Sequence, residues 1–378
     1  MKNKRTEDGR PQGKSLPLRV IAAKLGCSRS TVSYALRNQP SISEETRVKV
    51  QAVARQLGWR PDAELARMLS LVRASGRHPC PNLAIVLNKP TSELAEQHAP
   101  RKHLWGARQR ALDLGYNLEV FNLAEQTLSP ARLKSVLQAR GVQGVVYLAT
   151  TGETTTLDPA YLEFGSSFAC GVLGIRYPDP PFHVAIGNLH SSGQLALNRL
   201  FAAGFRRPGA ILPAGLDRLL AWSFGAGIQA GSFEQPAADR IPVCYVGRSE
   251  NFLPEGSFPE IERWMLRYNP DVLLTTDMLN IYRFLDWRGG ESRLRVCALD
   301  YHKGFTPDFG VDQRNEAVGA AAVDLVIAQL HRGEKGIPKV QRTLQIEGVW
   351  VPEGSTDGCE GGTEERVALT QRGSGVGA

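Results

Sequence analysis

Arg29, Ser30, Tyr34 and Arg37 fall within nine residues, spaced so that a helix would turn them outward while Val32, Ala35 and Leu36 face in. These side chains can read hydrogen-bonding edges. A guanidinium presents parallel N–H donors that match the paired acceptors of guanine or of a phosphate, and a serine hydroxyl donates or accepts as its neighbour requires. Reaction chemistry has no comparable signature. The chain contains no GxSxG, no Walker loop, no HExxH, and no GxGxxG between a strand and a helix. Its six cysteines, Cys27, Cys80, Cys170, Cys244, Cys297 and Cys359, are scattered, with no CxxC pair and no zinc-type spacing to histidine. A binding protein is expected, not an enzyme, with no metal and no cofactor.

The outward set needs a rigid frame, and the flanking residues supply one. After Pro17, the residues Leu18, Ile21, Ala22 and Leu25 recur as the inner stripe of a helix; Gly26 ends it, and Ser28 stands where the next helix needs an N-cap. Ser43 caps a third helix. Its first turn holds Glu44 and Glu45 at the positive end of the helix dipole, and Val50, Val53, Ala54 and Leu57 line its inner face. Ala22, Gly26 and Val32 have the spacing of a helix-turn-helix: a small residue where the helices cross, a glycine for the tight turn, and a β-branched residue to lock the second helix down. Charge gathers in the same place. Residues 1–79 hold 16 of the 45 Lys and Arg but 6 of the 38 Asp and Glu, which leaves this part at +10 and the remainder at −3. A basic fold attached to a near-neutral body points to a polyanionic partner.

The stretch from Ile21 to Leu69 resembles the headpiece of the lactose/galactose-repressor family. The matching positions are Ile21-Ala22, Gly26-Cys27-Ser28, Thr31-Val32-Ser33, Leu36, Ser43, Thr46-Arg47, Val50 and Gly58-Trp59-Arg60-Pro61-Asp62. The resemblance implies that Arg29, Ser30 and Tyr34 read bases in the major groove of double-stranded DNA, and that Ser28, Thr31 and Ser33 contact phosphates. It also implies a homodimer on a pseudo-palindromic operator. Tyr34 departs from the family, which often has arginine there. After Pro61, the residues Leu65, Met68, Leu69 and Val72 recur at helical spacing. In the family this is a hinge helix, and Met68 holds the place of the apolar wedge that kinks DNA from the minor groove.

From residue 82 the chain alternates β-rich runs (83–87, 118–121, 144–148, 168–173, 210–212, 241–246, 271–275 and 295–299) with amphipathic stretches (103–114, 130–139, 190–203, 259–267 and 317–331). Such alternation predicts parallel sheets with helices on both faces. Asn88, Thr150, Thr276 and Asp300 put polar residues at strand carboxyl ends, where open α/β sheets bind ligands. Residues 190–211, 310–338 and 346–356 resemble the same family's binding domain. The implied fold class is α/β, an all-α helix-turn-helix headpiece followed by a periplasmic-binding-protein-like domain of two Rossmann-like lobes. The expected parts are a disordered arm (1–15), the headpiece (16–60), a hinge helix and linker (61–81), a first lobe (82–186 plus 313–339), a second lobe (187–312 plus 340–352) and a disordered tail (353–378). For the effector, the resemblance implies Arg218 and Trp222, from an R-x-x-G-[FWY] element with Ala221 in place of the glycine, and also Thr276 and Asp300.

Lys2, Lys4 and Arg5 are followed by no apolar stretch, and no run approaches the ~18 apolar residues of a membrane helix, so a cytoplasmic protein without a membrane partner is expected. A two-lobed sugar receptor for transport would share the body, but it would need a signal peptide and would gain nothing from a helix-turn-helix. The expectation is therefore a ligand-responsive, sequence-specific DNA-binding transcription regulator. It would be a repressor of carbohydrate-related genes, controlled by a sugar or related small molecule held between the lobes.

Overall fold

The structure, a computed structural model, describes residues 18–36, 42–57, 81–87, 98–125, 128–148, 165–175, 181–248, 252–289, 294–303 and 309–353. The chain divides into two compact units, residues 1–79 and 80–378. The expected arm 1–15, the hinge and linker up to residue 80 with Met68, and the tail beyond Glu353 lie outside the described residues.

In the first unit α1 (Leu18–Leu25), α2 (Arg29–Leu36) and α3 (Glu44–Gln56) close on Ile21, Ala22, Val32, Ala35, Val50 and Ala54. Gly26 has φ +62°, which lets the chain turn sharply between α1 and α2 without a Cβ in the way. The Cys27 N–H donates to Ala22 O at 3.2 Å across that turn. Each following helix has a serine at its start. Ser28 Oγ accepts from the Thr31 N–H at 3.0 Å, and Ser43 Oγ from the Thr46 N–H at 3.4 Å.

The second unit runs β1 (Asn82–Leu87), α4 (His98–Asp113), β2 (Asn117–Asn122), α5 (Pro130–Ala139), β3 (Val142–Leu148), β4 (Ala169–Leu173), β5 (His183–Gly187), α6 (Leu189–Ala202), β6 (Pro208–Pro213), α7 (Ala214–Leu219), α8 (Ser223–Ser232), β7 (Cys244–Val246), α9 (Phe258–Tyr268), β8 (Val272–Thr275), α10 (Met278–Trp287), β9 (Arg295–Ala298), β10 (Phe309–Asp312), α11 (Asn315–Arg332), β11 (Thr343–Ile346) and β12 (Val349–Val351). It has two sheets, ordered β2-β1-β3-β4-β5-β11 and β7-β6-β8-β9-β10-β12. Among the described residues, pairing is parallel throughout except that β12 runs antiparallel to β10. Strand β1 shows why its run reads as continuously apolar. Leu83, Ile85 and Leu87 pack on one face with Ala107 and Val318, while Ala84 and Val86 pack on the other with Leu133 and Leu137.

The chain passes between the sheets three times, and these passages are tied together. After β5 the Asn188 N–H donates to Ile346 O at 2.7 Å, and its Nδ2 to Glu347 Oε1 at 2.6 Å. Ser192 Oγ donates to Gln313 Oε1 at 2.9 Å, and Gln313 Nε2 donates to Leu299 O. The third passage corrects the expected boundary near 340. Thr343–Ile346 pair in parallel with Val184–Gly187, so residues 343–346 complete the first lobe's sheet and the chain crosses at Glu347-Gly348. Strand β7 is shorter than the apolar run 241–246, in which Pro242 has no N–H to give a ladder.

Glycines set how closely the helices approach. A Cβ at Gly106 would stand 1.9 Å from Glu316 O, and one at Gly319 would stand 2.0 Å from His103 O, so α4 and α11 touch backbone to backbone. Gly319→Ala is expected to cost ~1–3 kcal/mol, because rigid backbone must move. Gly256→Ala, with nothing within 4 Å of the new Cβ, should change stability by under about 0.5 kcal/mol. Urea midpoints of the two variants check this; equal midpoints would mean that the helix contact yields freely.

Candidate functional site

Helix α2 buries Val32 and Ala35 completely and exposes Arg29, Ser30 and Tyr34, the last at 46%. Its N-terminus carries a hydroxyl cluster. Ser28 Oγ lies 2.7 Å from Ser30 Oγ and 2.9 Å from Thr31 Oγ1, on top of its capping bond. Ser28 is exposed; Thr31 and Ser33 are half-buried. Helix α3 supports α2 from behind with Val50 and Ala54, and its outer face carries Glu44–Arg47 and Glu45–Lys49 ion pairs, the second at 2.7 Å. Lys49 holds the Glu45 carboxyl below the usual carboxylate range. At such exposure these pairs add little stability. Arg37 lies outside the described residues.

In the second lobe the strand order reverses between β6 and β8, which opens a crevice at their carboxyl ends. Helix α7 leaves β6 with Arg218 exposed, and the chain then takes φ +57° at Ala221 and +60° at Trp222. Two successive left-handed residues without glycine are costly, and Asp217 braces them. Its buried carboxylate accepts from the N–H groups of Phe224 and Gly225 at 3.1 and 3.0 Å and from Tyr245 Oη at 2.8 Å. Burial pushes the Asp217 carboxyl up, against the pull of those three donors. The Trp222 ring meets Tyr245 edge-on at 5.3 Å and remains 44% exposed.

Thr276 follows β8 and Asp300 follows the segment after β9; Thr275 and Ala298 are direct partners in the ladder, so both residues sit on the same sheet edge. They differ in what they hold. Thr276 Oγ1 is buried and has no hydrogen-bond partner among the described residues. Asp277, next to it, is spent on structure: it caps α10 through the Asn280 N–H and accepts from the Leu253 N–H at 2.8 Å. Asp300 accepts from Asn315 Nδ2 at 3.1 Å and faces His302 Nε2 at 3.2 Å. Burial opposes its ionisation, yet His302 and Asn315 prevail and hold it below the usual range.

The structure thus puts Thr276 and Asp300 side by side at one sheet edge, and Arg218 and Trp222 follow the neighbouring strand β6 through α7. Sequence reasoning missed Asp217, Tyr245, His302 and Asn315. Asp217 was within reach, since it directly precedes Arg218; the others are far away in the chain. Among the described residues no group of three His, Cys, Asp or Glu is placed to hold a metal ion, and no helix is long and apolar enough to cross a membrane.

Fold and site together define a helix-turn-helix unit attached to a two-lobed α/β binding domain. Residues 18–62 match the bacterial regulatory proteins of the lacI family. Among curated relatives, the HTH-type transcriptional regulator Rv3575c of Mycobacterium tuberculosis is 29% identical over 129 residues, 34% of this chain and 34% of that protein. The HTH-type transcriptional regulator TreR of Salmonella typhimurium is 27% identical over 147 residues, 34% of this chain and 47% of that protein. The chain therefore matches less than half the length of either relative. Among solved structures, the transcriptional regulator CelR–cellobiose complex superposes with a TM-score of 0.52 at 18% identity, covering 90% of this chain and 100% of that one. It shares the fold.

A buried hydroxyl without a partner carries a desolvation penalty of ~1–3 kcal/mol. Thr276→Val keeps the shape and removes the hydroxyl, so the ligand-free full chain should become more stable by roughly 1 kcal/mol. A denaturation curve decides: a loss of stability would mean that the hydroxyl is already bonded.

Proposed function

We propose that the chain is a sequence-specific DNA-binding transcription regulator whose operator affinity is set by a small molecule held in the second unit. The observation that carries this reading is α2, which is locked from behind by Val32 and Ala35 and presents Arg29, Ser30 and Tyr34 to solvent from a basic segment. Arg29 reads guanine through paired N–H donors, Ser30 and Tyr34 contact neighbouring bases, and Ser28, Thr31 and Ser33 fix the register on phosphates. Two copies of the chain span a pseudo-palindromic operator, with Met68 as the apolar wedge in the minor groove. The effector is a sugar or derivative contacted by Arg218, Trp222, Thr276 and Asp300, and the regulated genes concern carbohydrate use, under repression. Support for the ligand class is chemical. A guanidinium, an aromatic face and an unpartnered hydroxyl on one edge suit a molecule rich in vicinal hydroxyls. One regulator of the same fold was solved as a cellobiose complex.

Arg29→Ala should cost roughly 1–3 kcal/mol of operator affinity and relax preference at one base pair in each half-site, whereas Lys24→Ala weakens all sequences about equally. Binding-site selection followed by salt titration reads both effects; recovery of the wild-type motif from Arg29→Ala would overturn base reading.

The effector is tested by melting the full chain with sugars, sugar phosphates and nucleobases in turn. A true ligand at about 100 times Kd adds ~2.7 kcal/mol. Arg218→Ala should abolish that gain and leave ligand-free operator binding intact. A response confined to nucleobases would overturn the sugar class.

A further inference from the structure

Three imidazoles and a carboxylate meet where the two lobes touch. His98 and His103 stand on α4 of the first lobe, Asp300 and His302 follow β9 of the second, and Asn315 opens α11 just past the second crossing. The rings of His98 and His302 are 5.0 Å apart, tilted by 40°. His302 Nε2 lies 3.2 Å from Asp300 Oδ2, and Asn315 Nδ2 donates to the other carboxylate oxygen at 3.1 Å. His103 and His302 are 8% and 9% exposed, and His98 is half-buried.

His98 stands among cations as well as carboxylates. Helix α4 contributes Arg101 and Lys102, α11 contributes Glu316, and the segment after β9 contributes Asp300. Glu316 is engaged by Lys102 at 3.3 Å, and Asp300 by His302 and Asn315. A proton added to His98 therefore brings a further cation against two carboxylates that already have partners. Against the buried His302 ring the repulsion is screened less than between exposed groups, and it acts between α4 and residues 300–302, that is, between the lobes.

We propose that this cluster is a proton-sensitive latch between the lobes, so that mild acid loosens the first lobe from the second and weakens capture of a ligand in the cleft. The statement about ligand rests on the function proposed above; the latch itself does not. Burial, then His302 and Arg101, keeps His98 below the ordinary histidine range, and burial pushes His103 down to about 4. Both rings are thus neutral in the native chain and take up protons more readily when released from the cluster. Their contribution is complete above the ordinary histidine pKa of ~6.5 and is lost as pH falls below it towards the depressed native values.

The test is amide hydrogen exchange of the full, ligand-free chain at about pH 7.5 and about pH 5, corrected for the intrinsic pH dependence of exchange. In wild type, residues 98–107, 299–303 and 313–318 should exchange about tenfold faster at the lower pH, while the core strands β1 and β6 stay protected. The double variant His98→Gln with His302→Gln keeps hydrogen-bonding amides but takes no proton. His103 is still mostly neutral at about pH 5, so the acid response should vanish. Unchanged wild-type exchange, acceleration spread evenly over the chain, or an acid response that survives in the double variant would each overturn the latch. Should the double variant lose strand protection at neutral pH, half-buried His98→Gln alone is read by the same criterion. Since no ligand is present, failure here leaves the sugar reading standing, and an empty sugar screen leaves the latch standing.

Discussion

Three strands of chain pass between the lobes side by side, and the hydrogen bonds among them constrain everything else in the binding unit. Asn188 grips Ile346 and Glu347, so the first and third passages cannot separate. Gln313, on the second passage, receives Ser192 Oγ and donates to Leu299 O, which ties it to both α6 and the segment after β9. Even a Cβ at Gly348 would collide with Val311 Cγ1 at 2.6 Å. A joint this crowded admits bending far more readily than sliding, because buried polar groups that lose their partners cost ~1–3 kcal/mol each. Sliding one lobe along the other would break these bonds, so the joint keeps the two sheets in register.

Parallel pairing does the remaining work. When every strand of a sheet runs the same way, all carboxyl ends lie on one edge, and the residues just beyond them become neighbours however far apart they stand in sequence. That is how Thr276 and Asp300 share an edge in the second lobe. The edge is not uniform. Asp217 and Asp277 are spent on holding backbone, Asp300 is held by its own neighbours, and Thr276 Oγ1 is left unpaired. The first lobe reaches Asp300 and His302 with His98 and His103, whose charge depends on protonation. The headpiece obeys simpler rules. Its frame is six small or branched side chains and two serine caps, and its outer residues are presented by helical period alone.

Local pattern determined a great deal. Periodicity and capping place α1 to α3, the turn at Gly26 and the exposure of Arg29, Ser30 and Tyr34, because a short helix with one apolar stripe has a single way to bury it. The alternation after residue 82 similarly announces parallel sheets, and α5 runs over the same residues, 130–139, that its pattern marks out. Strands β5, β10, β11 and β12 left no such mark. Each is three to five residues long, and β11 is mostly exposed, so no apolar run distinguishes it. Its membership in the first lobe, and with it the crossing at Glu347-Gly348, follows from pairing with Val184–Gly187 across more than 150 residues of chain. The histidine–carboxylate cluster likewise exists only after α4, the end of β9 and the start of α11 have been packed together. Sequence alone thus fixed what is decided within a helix or a strand, where neighbours in the chain are neighbours in space. Tertiary structure alone decided which polar side chains meet at the cleft and which of them are already satisfied, since those contacts are made between residues that the chain itself keeps far apart.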